Sequence, residues 1–127
     1  MSVIKQQDII DSIADACQYI SYFHPEDFVT AMVEAYENEK SEAAKNALGQ
    51  ILINSKMCAL GHRPLCQDTG SVNIFVRVGL KANLELTKEL VDVLNEGVAK
   101  GYTNPDNTLR YSVVSDPQGK RTNTKDN

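Results

Sequence analysis

The sequence has few cysteines, and they do not form the pattern of a disulfide framework. It contains three, an odd number without a Cys-x-x-Cys pair, whereas small secreted domains are usually stapled by paired cysteines. The amino terminus lacks a basic region followed by an apolar run, and no apolar stretch reaches membrane-spanning length. These absences argue against a secreted scaffold and a membrane partner, and we expect a cytoplasmic protein.

Positive charge is also scarce. The 13 Lys and Arg residues are outnumbered by 17 Asp and Glu residues, giving a net charge of -4, which argues against nucleic acid as a partner. Hydrophobic residues make up 42% of the chain, a fraction typical of globular domains. We therefore expect residues 1–127 to form a single helix-rich domain.

Apolar residues recur at helical spacing over roughly the first sixty residues and again after residue 85. Capping residues and helix breakers divide these regions into four predicted helices. The markers are Phe23 at the end of the first helix, Pro25 in the first turn of the second, Ser41 as the cap of the third, Gly61 just after it, Asn83 as the cap of the fourth and Gly101 at its end.

The period changes to two over residues 71–79, where Val72, Ile74, Val76 and Val78 alternate with other residues. This alternation predicts a half-buried strand, and a shorter strand is predicted near 111–115. Residues 103–127 are otherwise rich in Asn, Asp, Ser and Thr and predict a loop-rich tail. The predicted fold class is α+β, with about four helices and a small β element.

The most unusual segment is the octet from Arg63 to Gly70, which reads RPLCQDTG. Pro64 and Gly70 predict a loop with defined turns, so Cys66 should lie outside any helix. Next to this cysteine are an amide, Gln67, and a carboxylate, Asp68. A soft thiolate ligand beside acid-base groups suits metal-assisted proton transfer. The alternative is a buried cysteine followed by an Asp-Thr turn that caps the next element.

Other uses of the cysteines have less support. Cys17 and Cys58 lie among apolar residues and are interpreted as core residues. The spacing does not support a zinc site. A nucleophilic pair of Cys66 with His62 is disfavoured because Pro64 interrupts any helix that would align them.

The octet, the strand pattern after it, Thr108 to Ser112 (TLRYS) and Thr122 to Thr124 (TNT) resemble the amino-terminal part of class I fumarate hydratases and their L(+)-tartrate dehydratase relatives. The resemblance runs over essentially the whole chain. It implies an iron–sulfur hydro-lyase acting on a C4 dicarboxylate, with a 4Fe-4S cluster bound by three cysteines. Fumarate and malate are the first expectation for the substrate pair, and tartrate is the alternative.

The resemblance also implies a role for individual residues. Cys66 resembles the first cluster cysteine, and Asp68 the acid that removes a proton next to a carboxylate. Gln67 resembles a substrate-contacting amide, and Arg110 an arginine that holds the dicarboxylate. The resemblance thus implies that Asp68 contacts the substrate as well as acting as the catalytic base.

Two cluster cysteines should lie beyond Asn127 in this family. We therefore expect the chain to be an incomplete amino-terminal portion of a larger hydratase subunit. It should need its carboxy-terminal half or a second subunit, within a homo- or hetero-oligomer. The chain alone should be inactive. The alternative is a non-catalytic interaction module derived from such an enzyme, in which Cys66 and Asp68 would be dispensable.

Overall fold

The structure, a computed structural model, describes residues 3–66, 71–106, 109 and 122–124. The described residues form β1 (Val3–Lys5), α1 (Gln6–Tyr22), α2 (Glu26–Asn38), α3 (Glu42–Gly61), β2 (Asn83–Glu85) and α4 (Leu90–Tyr102). This is the predicted helix-rich α+β class. The chain divides into two compact units, one made of Met1–Gln18 and Cys66–Asn127 and the other of Tyr19–Leu65.

The helix ends follow the local sequence signals closely for α1 to α3. Pro25 directly precedes α2, and Glu26 and Asp27 place negative charge in its first turn. The Ser41 hydroxyl accepts a hydrogen bond from the Ala44 N–H at 3.5 Å, which confirms it as the cap of α3. These signals are local, so the sequence alone locates the ends.

The first unit is built on close packing between α4 and the amino-terminal part of α1. A Cβ at Gly97 would lie 2.7 Å from the Cβ of Ile13, and one at Gly101 would lie 3.1 Å from the Ala14 carbonyl oxygen. Glycine at these positions allows the helices to approach closely. The buried apolar residues of this unit are Ile10, Ala14, Cys17, Val93, Val98, Tyr102 and Leu109.

Polar contacts connect the remaining parts of this unit. β1 and β2 pair in parallel, with Val3 opposite Asn83. The Gln6 side-chain oxygen accepts hydrogen bonds from the Thr87 N–H and hydroxyl, both at 3.0 Å. A hydrogen bond from Lys100 lowers the pKa of the exposed Asp11 carboxyl. The contacts thus join segments far apart in sequence.

The second unit contains the last turn of α1 together with α2 and α3, and α2 packs on α3. The Tyr36 ring lies over Gly49, with its edge 3.3 Å from where a Cβ would stand, and Lys45 Nζ lies 4.9 Å from the ring centroid. His24 Nδ1 lies 3.0 Å from the Ser55 hydroxyl. No residue of α2 is fully buried.

The strand predicted at 71–79 is wrong. These residues have no strand or helix assignment, and Ile74, Val76 and Val78 are exposed. Alternation indicates which side chains would share a face, but a strand also needs a hydrogen-bonded neighbour. None of the described residues provides one for this segment. The second predicted strand, near 111–115, lies outside the described residues.

The fourth helix starts later than predicted. Asn83 lies in β2 rather than at a helix cap, and α4 begins at Leu90 after Glu89. The reason is tertiary: the main chain of residues 83–85 pairs with β1 and is therefore extended.

None of the helices in the described parts of the chain has the length and apolarity to cross a membrane.

Candidate functional site

The segment before Cys66 leaves α3 along a course fixed by main-chain hydrogen bonds. His62 ends the helix in the left-handed conformation, with φ of 48°. The Arg63 N–H then donates to the Cys58 carbonyl at 3.1 Å, and the Leu65 N–H donates to the Ser21 carbonyl at 2.9 Å. Both ends of this short segment are thus bonded to helices, and residues 63–66 lie outside any helix, as the turn residues of the octet predict.

Side chains of α3 hold the same segment through its carbonyl groups. The Asn54 amide donates to the Leu65 carbonyl at 3.0 Å. Cys58 Sγ lies 3.6 Å from both the Pro64 carbonyl and the Asn54 side-chain oxygen, so its single S–H proton can bond either one. Sequence reasoning missed Asn54. The available signal was a side chain with a hydrogen-bonding amide one turn before Cys58, on the same side of α3.

The three cysteines differ in accessibility, and the predicted burial of Cys17 and Cys58 is confirmed. Cys17 and Cys58 are buried, whereas Cys66 is exposed. Burial raises the pKa of the Cys17 thiol, which keeps it protonated at neutral pH. Since metals bind the thiolate, Cys66 is the cysteine best placed to act as a ligand.

The other residues predicted for the site lie outside the described residues. Gln67, Asp68 and Arg110 belong to this group, so their roles remain predictions. The segment 122–124 is described. Its two threonine hydroxyls lie 2.9 Å apart, and the Asn123 side chain acts on the hydroxyl of Tyr102 at the end of α4.

Tyr102 is buried, and burial raises the pKa of its hydroxyl, although the Asn123 side chain opposes this shift. Asn123 also has a positive φ of 53°. These contacts give Asn123 a structural role at the carboxyl end of α4.

The two histidines are engaged by aromatic rings. The His62 ring stacks on Tyr22 with centroids 5.6 Å apart and meets Phe23 edge-on at 6.0 Å. His24 contacts Phe28 at 4.4 Å in addition to Ser55. Both rings therefore have packing roles, in agreement with the low support for a cysteine–histidine pair.

The described residues do not fit a complete 4Fe-4S cluster. The cluster that the resemblance implies is bound by three thiolates, and the chain offers one exposed cysteine. No group of three or more His, Cys, Asp or Glu side chains able to hold a metal occurs in the described parts of the chain. The chain could therefore contribute one ligand to such a cluster.

A shallow depression of about 650 Å³ lies along α2. Its lining includes the carboxylates of Glu26, Asp27 and Glu34. Their negative charge opposes the binding of a dicarboxylate, so this surface is unsuitable for the substrate class that the octet predicts.

Comparison with known proteins supports the resemblance carried by the octet. The family model described as fumarate hydratase (Fumerase) matches residues 10–127. A Methanocaldococcus jannaschii protein, named by inference as L(+)-tartrate dehydratase subunit alpha, is 35% identical over 106 residues, which are 84% of this chain and 36% of that protein. L(+)-tartrate dehydratase subunit alpha of Escherichia coli K12 is 28% identical over 113 residues, covering 87% of this chain and 36% of that protein. The protein of that name from Shigella sonnei gives the same values. The chain spans about a third of the length of these curated relatives.

Proposed function

We propose that this chain is the amino-terminal portion of an iron–sulfur hydro-lyase acting on a C4 dicarboxylate. The chain belongs to the fumarate hydratase (Fumerase) family, and the proposal follows from this membership. The observation that carries the proposal is the match over residues 10–127, which includes the whole octet. Hydration of fumarate to malate is the first assignment. Dehydration of L(+)-tartrate is the second candidate, favoured by the names of the relatives.

In this proposal Cys66 supplies one ligand of the 4Fe-4S cluster, and the remaining ligands lie outside this chain. The exposed position of Cys66, directly after a segment tied to α3, supports this role. Asp68 accepts the proton from the carbon next to a substrate carboxylate in the dehydration direction and returns it in hydration. Gln67 and Arg110 hold the substrate carboxylates, since a guanidinium can bind a carboxylate through two parallel hydrogen bonds.

The proposal also includes a partner. The relatives are named alpha subunits, and the chain spans about a third of their length. We therefore propose that a further polypeptide, which carries the missing cluster ligands, assembles with this chain. That polypeptide is the remainder of the subunit or a second subunit, in a cytoplasmic oligomer.

The test uses the complex purified anaerobically from the native cell through a tag on this chain. Iron and acid-labile sulfide are counted, and fumarate and tartrate are assayed separately. Cys66→Ser should lower the iron content together with turnover. Asp68→Asn should keep the iron and lower turnover by about 10²-fold or more, the usual effect of losing a general base. Asp92→Asn, an exposed carboxylate of α4, is the matched control and should retain activity.

The competing function is an interaction module without chemistry. In that case Cys66→Ser and Asp68→Asn would leave the activity of the assembled protein near normal, and the iron content would not depend on Cys66. Either result removes the corresponding residue from the proposed site.

A further inference from the structure

α3 carries apolar side chains on a face that the described structure leaves open. Ile53, Met57 and Leu60 are 59%, 66% and 77% exposed. Their spacing of four and three residues places them on one side of the helix, and we call them the outer α3 stripe. Leu48 and Leu52, by contrast, are partly buried within the second unit.

α3 contains few charged residues, as is typical of a helix that is packed against other protein segments on more than one side. Its charged residues among the 20 of the helix are Glu42, Lys45 and Lys56, and two of these lie near the amino-terminal end. A helix that is apolar on more than one side is typical of the core of a larger structure. Exposed, contiguous apolar side chains of this kind mark an interaction surface.

The position of the stripe indicates which polypeptide covers it. Leu60 lies in the last turn of α3, and the octet with Cys66 follows this end directly. The Asn54 amide, which bonds the Leu65 carbonyl, points to the neighbouring side of the helix, since adjacent residues point in different directions. A polypeptide packed against the carboxyl end of the outer α3 stripe therefore contacts residues that are close in sequence to the octet that carries Cys66.

We propose that the outer α3 stripe is the surface on which the remaining polypeptide of the hydratase subunit packs, which brings the missing cysteine ligands to Cys66. This inference rests on the proposed function. The length comparison supports the occupant: the matched segment is 36% of each relative, so nearly two thirds of those chains have no counterpart here. The ligand requirement supports it independently, because the described residues provide one exposed thiol.

The first test is site-specific cross-linking in the native cell. The photoreactive residue benzoylphenylalanine replaces Met57 in one strain and Glu37, an exposed residue of α2, in the control strain. Irradiation should link the Met57 position to a polypeptide whose peptide sequence matches the unmatched part of the tartrate dehydratase alpha subunits. The Glu37 position should give no such product. A Met57 cross-link to another copy of this chain, or none, overturns the proposal.

The second test measures assembly with charged variants. Met57→Asp and Leu60→Asp should each lower the co-purifying polypeptide and iron by at least about tenfold, a loss typical of important interface positions. Val91→Asp is the matched control, since Val91 is 61% exposed on α4 and should retain assembly. Circular dichroism of the isolated variants checks that α3 still forms.

The results also separate this inference from the proposed function. If the complex contains the hydratase polypeptide and about four irons but the stripe variants assemble normally, the surface is wrong and the function stands. If the chain is recovered colourless and alone from wild-type cells, both are wrong.

Discussion

Gly97 is the residue at which α4 comes nearest to α1. A helix-interior Gly→Ala change ordinarily adds up to about 1 kcal/mol of stability. Here the new Cβ would stand 2.7 Å from Ile13 Cβ and 3.0 Å from the Ile10 carbonyl oxygen. Overpacking of this kind costs about 1–3 kcal/mol, so we expect Gly97→Ala to lower the free energy of unfolding in urea.

Gly49→Ala is the matched control, because Gly49 is also inside a helix. Its added Cβ would meet the edge of the Tyr36 ring at 3.3 Å, and this ring is at the surface and can shift. We expect this variant to be as stable as the wild type or more stable. Equal gains in the free energy of unfolding for Gly97→Ala and Gly49→Ala would show that the close approach of α1 and α4 leaves room for an added methyl group.

His62 ends α3 with a positive φ of 48°, a conformation that costs most residues about 1 kcal/mol relative to glycine. His62→Gly and His62→Ala both remove the ring contact with Tyr22, so their difference isolates the backbone term. We expect the glycine variant to be more stable by about 1 kcal/mol in urea unfolding. At Glu39, the cap of α2 with φ of -67°, glycine should have no such advantage.

At the level of single residues, the sequence predicts the burial of Cys17 and Cys58 and the position of Cys66 outside any helix. It is less successful for the buried face of α1. The helical spacing of Ile9, Ile13, Ala16, Cys17 and Ile20 predicts one apolar stripe on this helix. Ile20 is nevertheless 65% exposed, whereas Ile10 and Ala14 are buried. Helical periodicity is compatible with more than one buried face of α1. The face that is buried in the structure is the one that packs against Gly97 and Gly101 of α4.

Between α3 and the octet, Asn54 provides the side-chain anchor. Without its amide the Leu65 carbonyl loses a hydrogen bond of 3.0 Å, and the segment before Cys66 becomes less restrained. We expect Asn54→Ala to change the rate at which maleimide alkylates Cys66 in the isolated chain. It should also speed hydrogen exchange at the Leu65 amide.

Asn38→Ala is the control for this prediction. The Asn38 amide also donates to a carbonyl, that of Glu34 at 2.8 Å, but within its own helix. Cys66 reactivity should be unchanged in this variant. An Asn54 variant with wild-type reactivity and exchange would exclude the anchoring role.

Residues 71–79 form neither helix nor strand in the structure, and Phe75 within them is 97% exposed. Proteases require an extended, accessible segment. We expect chymotrypsin to cleave the isolated chain after Phe75 before it cleaves after Phe23 or Phe28, which lie in or beside helices. Phe75→Ser should delay the first cleavage, and earlier cutting at either of the other sites would contradict this reasoning.

Among the elements, local signals were sufficient where a side chain caps its own helix, as Ser41 does. They failed at Asn83 and at 71–79 because both outcomes depend on a distant partner. Asn83 has one in β1, so a residue interpreted as a cap lies in a strand. The alternating segment has none among the described residues, so its period alone does not produce a strand.

For the molecule as a whole, the chain should not hold a complete cluster alone. We expect the isolated chain, treated anaerobically with ferrous iron and sulfide and then desalted, to retain far fewer than about four irons and to stay colourless. The complex from the native cell is the control. A brown isolated chain with a full complement of iron would mean that ligands within this chain suffice.

The pairing of β1 with β2 has a consequence for synthesis on the ribosome. β1 lies at the start of the first unit's sequence and β2 in its second part, and the continuous second unit, Tyr19–Leu65, is inserted between these two parts. Contacts between distant residues form later than local ones because the intervening chain must first be made and closed into a loop. The inserted unit can therefore fold while the chain is still growing. The first unit, in contrast, has to wait for α4 to emerge. The unit whose sequence begins first is therefore the one that folds last.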